Sequence, residues 1–174
     1  MKKLVPLLGL LAAPAMAQGG QVYFASDAWP VEAAGRACTM MQSSGAAGPN
    51  ALEVGYDASS GEVTLTMSSD EIGNALRDSG TIDLAIVFLQ NGETAYDDAW
   101  GSRSFGFVRD DGTARFTTRF AGERNVRQIL ADLANSHDVG LLHKGQAVMS
   151  TNLTQAGRSL GKLQECARRA VAAN

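Results

Sequence analysis

The chain has 174 residues, 45% of them hydrophobic and 19% charged, with a formal net charge of −3. Mild acidity argues against a surface that tracks nucleic-acid phosphates, and the two cysteines and two histidines are not clustered at zinc-motif spacing. The length and apolar fraction fit a single domain with a real core.

Lys2 and Lys3 precede an apolar run over 4–13, and Ala15, Met16 and Ala17 form a small-x-small site. This is the tripartite pattern of a secretory signal peptide over 1–17, with cleavage expected after Ala17 and a mature α+β domain over 18–174. The run is shorter than the roughly 20 apolar residues that span a bilayer, and no later segment is long enough to cross one. No cysteine follows the site to carry a lipid anchor. Losing two lysines and no acid takes the net charge from −3 to −5. The compact, Ala-rich leader is bacterial in style, so the expected destination is the periplasm or the medium.

Export places Cys38 and Cys166 in an oxidising compartment. No C-x-x-C motif is present, so a structural disulfide is expected, tying the first strand region to the last helix. The alternative is two buried free thiols, which holds if their Cα atoms lie too far apart. Trp29, just before Pro30, reads as a core or sheet-edge aromatic near this bridge. The stretch 43–50 is a loop.

Leu52, Val54 and Tyr56 alternate with polar or small residues, as do Val63, Leu65 and Met67, and Asp57 to Gly61 supply turn chemistry. This predicts a hairpin with one wet face. Ser69 or Asp70 caps a short predicted helix carrying Ile72, Ala75 and Leu76, weakened by Gly73. The apolar run over 85–89 predicts a central strand buried on both faces, ended by Asn91 and Gly92. An irregular loop follows over 96–103. A second hairpin sets Phe105 and Phe107 against Phe116 and Phe120, turning at Asp110, Asp111 and Gly112. One of its strands, placed at an edge, offers sheet extension as a route to a dimer. Val126, Ile129, Leu130 and Leu133 mark one face of a helix closed by Asn135 and Ser136. A last hairpin turns at Lys144 and Gly145. Thr151 or Asn152 then opens a terminal helix with Leu153, Ala156, Leu160, Leu163, Ala167 and Ala170 as its stripe and Cys166 at the stripe's edge. The order predicts an α+β fold: an antiparallel sheet built of hairpins with two helices packed on one face.

Chemistry is sparse in the sequence. His137 and His143 flank one predicted strand and would lie about 20 Å apart at ~3.3 Å per residue, too far to share a metal. No serine sits in G-x-S-x-G or S-x-x-K. Met40 and Met41 beside Cys38 lack the further soft ligands that Cu(I) needs. Asp97 and Asp98 point apart in an extended segment. The sequon at Asn152 reads as helix capping. Tyr96, Trp100 and Arg103 are residue types enriched at binding hot spots, and they form the candidate recognition surface. The competing reading makes Trp100 a plug at the edge of the core. No catalytic residue, metal or cofactor is assigned.

The layout resembles the small exported alphaproteobacterial proteins of the invasion-associated locus B type. The resemblance rests on the short leader, the segment "AWPVEAAGRAC", a β-rich middle and the late strand-to-helix run "VMSTNLTQAGRSLGKL". It implies a periplasmic or envelope protein without an established catalytic activity, and transfers no site residue. The expected function is that of a non-enzymatic binding or interaction module for an envelope or periplasmic protein. The alternative is a small hydrolase with a site near 96–103 or 137–143.

Overall fold

The computed structural model describes residues 20–42, 50–70, 79–90, 93–94, 100–110 and 112–172. The leader, the short helix expected over 71–76, the Asn91-Gly92 turn, and Tyr96, Asp97 and Asp98 lie outside the described residues.

Alternation does most of the local work. In β4 (Asn50–Asp57) and β5 (Glu62–Ser69) the apolar residues fall on one face and pair as Leu52 with Met67, Val54 with Leu65 and Tyr56 with Val63. Asp57 closes the turn between them, its carboxylate accepting from the Ser59 amide at 2.7 Å and the Ser59 hydroxyl at 2.6 Å. β8 (Ser102–Asp110) and β9 (Thr113–Phe120) form the second hairpin, with Phe107 opposite Phe116. β10 (Asp138–His143) and β11 (Gln146–Asn152) form the third. Its turn puts Lys144 at φ 50° and Gly145 at φ 80°, the two positive angles that a tight two-residue hairpin loop requires.

The remaining strands are β1 (Gln21–Phe24), β2 (Val31–Ala34), β3 (Ala37–Met41), β6 (Ser79–Gln90) and the short β7 (Glu93–Thr94). Every pairing is antiparallel, in the order β1-β2-β3-β4-β5-β9-β8-β6-β10-β11, with β7 beside β6. β6 is central, as expected, but its two faces differ: Leu84, Ile86 and Phe88 are buried while Ala85, Val87 and Leu89 are half-buried. β8 and β9 lie inside the sheet, flanked by β6 and β5. The 102–120 hairpin therefore has no free edge for sheet extension, because long-range pairing on both sides has consumed its outer hydrogen bonds.

Two features bend this sheet away from an open platform. The first is a closure. β3 pairs with β4 only as far as Met41 opposite Glu53, with one more bond from the Gln42 amide to the Leu52 carbonyl. Beyond that point the flank of β4 is taken by β11, held through side chains. Asn50 Nδ2 donates to the Ser150 carbonyl at 3.0 Å, Gln42 Nε2 donates to the Asn152 carbonyl at 3.2 Å, and the Thr151 hydroxyl donates to Gln42 Oε1 at 2.7 Å. The path β4-β5-β9-β8-β6-β10-β11 thus returns to its start as a ring of seven strands whose last seam is a side-chain seam. The second feature is a split. The β8–β9 ladder stops at Gly106 opposite Thr117, and the gap beyond it is stitched by the Thr118 hydroxyl to the Ser104 carbonyl at 3.2 Å and by Arg103 Nη2 to the Arg119 carbonyl at 3.0 Å.

Two helices complete the described fold, α1 (Glu123–Asn135) and α2 (Ala156–Ala172). The α1 stripe is the expected one: Val126, Ile129, Leu130 and Leu133 are buried. Helix α2 begins four or five residues later than expected, because β11 runs on to Asn152 and Gln155 adopts a left-handed φ of 67° that no helix can continue through. Asn152 still works as a turn-former, its Oδ1 accepting from the Thr154 amide at 2.7 Å. α2 rests on β1 to β4, and α1 rests on β9 and α2.

Cys38 and Cys166 form a disulfide, with Cα atoms 6.2 Å apart across 128 positions of sequence. Cys166 lies within the buried stripe rather than at its edge, only 2% exposed. In the chain-entropy picture a loop this long gives about 5 kcal/mol at most, often less in practice. Trp29 is buried beside this staple and its indole N–H donates to the Thr154 carbonyl at 2.9 Å, so β1 and β2 are tied to the entry of α2 by a second link. Trp29, Phe105, Phe116 and Phe120 belong with both cysteines to one continuous core.

Candidate functional site

Helix α1 has two flanks. On one, Trp100 is half-buried, its ring edge-on to Phe120 at 4.9 Å between centroids. Its indole N–H donates to Asp132 Oδ2 on α1 at 2.8 Å. The Arg103 guanidinium lies over the Phe120 ring at 4.1 Å and over Trp100 at 5.5 Å. Burial pulls the Arg103 group down from its ordinary value, though an arginine stays charged in any such setting. The structure therefore brings Trp100 and Arg103 together, and it spends the indole N–H and one guanidinium N–H on internal partners. Tyr96 is outside the described residues.

On the other flank α1 faces α2 across an open groove of about 430 Å3. The floor is apolar: Val126 and Leu130 are buried, Ala131 and Ala134 are exposed alanines beside them, and Tyr56 closes one side. The lip is charged. Arg127 and Glu123 form an exposed i,i+4 pair at 3.4 Å, worth little in water. Arg168 and Gln164 reach the groove from α2, and Arg168 has no ion pair among the described residues. The helices run in opposite directions along it. Gly157, near the start of α2, approaches the Ala134 carbonyl at the end of α1, its would-be Cβ only 3.5 Å away. Counting eleven residues back along α1 and eleven forward along α2 brings Glu123 level with Arg168. The cationic lip and the N-terminus of α1 therefore share one end of the groove. That N-terminus follows Gly122, at φ 83°, with no side-chain cap, so its first amides and the positive end of the helix dipole are uncovered.

The other sequence-level candidates are dispersed. His143 Nδ1 donates to the Asp83 carbonyl at 3.1 Å, so that nitrogen carries the proton. The His137 amide donates to the Leu89 carbonyl, and Asp138 accepts from Asn152 Nδ2 at 3.1 Å. Among the described residues no three Cys, His, Asp or Glu side chains converge as metal ligands do. Met40 is buried in the core and Met41 points outward.

Sequence reasoning passed over the groove, although a signal was present. Ala131 and Ala134 are small residues bordering the α1 stripe, where a larger side chain would have filled the space. Among the described residues no helix is long and apolar enough to cross a membrane. No family model, no curated protein and no solved structure matches the chain.

Proposed function

We propose that this chain is an exported, non-enzymatic binding module whose working surface is the helical layer, α1 and α2 lying together on one face of the hairpin-built sheet. The observation that carries the reading is the groove between them, an apolar floor under a cationic lip with rigid walls on both sides. α1 is pinned by Trp100 and α2 by the disulfide, so the groove is pre-formed and binding would cost little reordering. Export is supported by the tripartite leader ending at Ala17 and by the Cys38–Cys166 bridge. The resemblance to invasion-associated locus B proteins points to the same compartment. The partner is an envelope or periplasmic molecule, and the joint of Trp100 and Arg103, its donors spent within the fold, serves to hold α1 in place.

A photo-crosslinking residue placed at Ala134, inside the groove, and separately at Thr64, on the outer face of β5, tests this in the exported chain. Adducts confined to position 134 are expected. Equal labelling at 64, or none at 134, would refute the reading. The intact mass of the exported chain should begin at Gln18.

A further inference from the structure

We propose that the groove between α1 and α2 takes a single-chain amphiphile with a carboxylate head, of the medium-chain fatty-acid class. The inference rests on the binding reading above and adds the chemistry of the ligand.

Shape comes first. The groove follows α1 from Glu123 to Ala134, eleven helical steps of ~1.5 Å, or about 16 Å. Both walls are helices whose backbone groups are bonded within themselves along their length, so an extended peptide would find no strand edge to pair with. An alkyl chain has no backbone polar groups to satisfy. With carbon–carbon bonds of ~1.52 Å in a zigzag, a dozen carbons reach about 14 Å, close to the length available.

Charge comes second. The lip holds Arg127, Arg168 and Glu123, a net single positive charge, at the same end as the uncapped N-terminus of α1. This complements a monoanion. The head would sit between Arg127 and Arg168. The tail would run toward Ala134, covering the exposed methyl groups of Ala131 and Ala134 beside the buried Val126 and Leu130.

The probe is dodecanoate, titrated into the exported full chain by calorimetry below its micelle concentration, with dodecyltrimethylammonium as the matched cationic probe. Expected are saturable one-to-one binding of dodecanoate and at least tenfold weaker binding of the cation. R168E should weaken dodecanoate at least tenfold, while R115E, on the outer sheet face, should leave it unchanged. Ala131→Phe should abolish binding by filling the floor, and Ala134→Phe serves the same purpose if the first variant does not fold. Equal affinity for the cation, indifference to R168E, or dodecanoate binding that survives a filled groove would each overturn the proposal. So would capture of an acidic peptide at the groove without dodecanoate binding, or binding only to phosphatidylglycerol vesicles. If dodecanoate fails while crosslinks still concentrate at position 134, the ligand class falls and the binding surface stands.

Discussion

The two flanks of α1 use the same kinds of residue to opposite ends. On the sheet side, an aromatic ring and an arginine are locked together: Trp100 against Phe120, Arg103 over both, and the indole N–H on Asp132. On the α2 side, Tyr56 and two arginines stand around a floor of alanines, and nothing in the described chain fills the space. Tryptophan and arginine mark hot spots because they are large, amphipathic and rich in donors. Those properties serve an internal joint as well as an external one. What separates the two flanks is whether the donors already have partners.

The comparison can be broken most strongly at the staple that fixes the second wall. Replacing Cys38 and Cys166 by serine should cost about 2–4 kcal/mol in urea unfolding and loosen α2, so the groove should lose its crosslinks while the Trp100 flank stays intact. Trp100→Ala removes a large, half-buried ring from the joint and should cost about 2–3 kcal/mol, below the range for fully buried aromatics. Asp132→Ala strands the indole N–H and should cost about 1 kcal/mol, read as a shift in the urea midpoint with unchanged slope. R168E, by contrast, should shift stability by less than about 0.5 kcal/mol, since it touches only the open lip. A destabilisation by R168E as large as that of Asp132→Ala would erase the distinction between the flanks.

The smallest expected effect is a pH dependence where α2 meets β1. The Glu165 carboxylate accepts first from the Lys162 ammonium, at 2.7 Å, then from the Tyr23 hydroxyl, with Arg169 at 2.6 Å, and these hold it below the ordinary carboxylate value of 4.5. Partial burial, then the same contact with Glu165, raises the Tyr23 hydroxyl above its ordinary value. A lowered carboxylate contributes stability above its unfolded value and loses it as pH falls through the folded one. The urea midpoint should therefore decline below about pH 4.5. Lys162→Met should make that decline shallower.

Local alternation made the β4–β5 and β8–β9 hairpins legible, and the 3.6-residue spacing of Val126, Ile129, Leu130 and Leu133 gave α1 residue by residue. Compartment logic gave the Cys38–Cys166 bridge, since two thiols in an oxidising setting have one pairing open to them. What escaped is whatever depends on register between distant segments. Nothing local in Gln42, Asn50 or Thr151 says that they meet, and the seam exists only because β3 ends where β11 arrives. The same is true of Arg103. Composition marked it as a recognition residue, yet its role follows from a ladder that stops at Gly106 and leaves the Arg119 carbonyl to be satisfied. The late start of α2 turns on one backbone angle at Gln155, and glutamine gives no sequence warning of a left-handed conformation.

The seam and the staple share a timing. Each joins the neighbourhood of residue 40 to residues beyond 150, so neither forms until the C-terminal stretch has left the ribosome. Until then the start of β4, beyond its pairing with β3, is uncovered and Cys38 has no mate. Both closures, one covalent and one of side chains, therefore wait on the last part of the chain to be made.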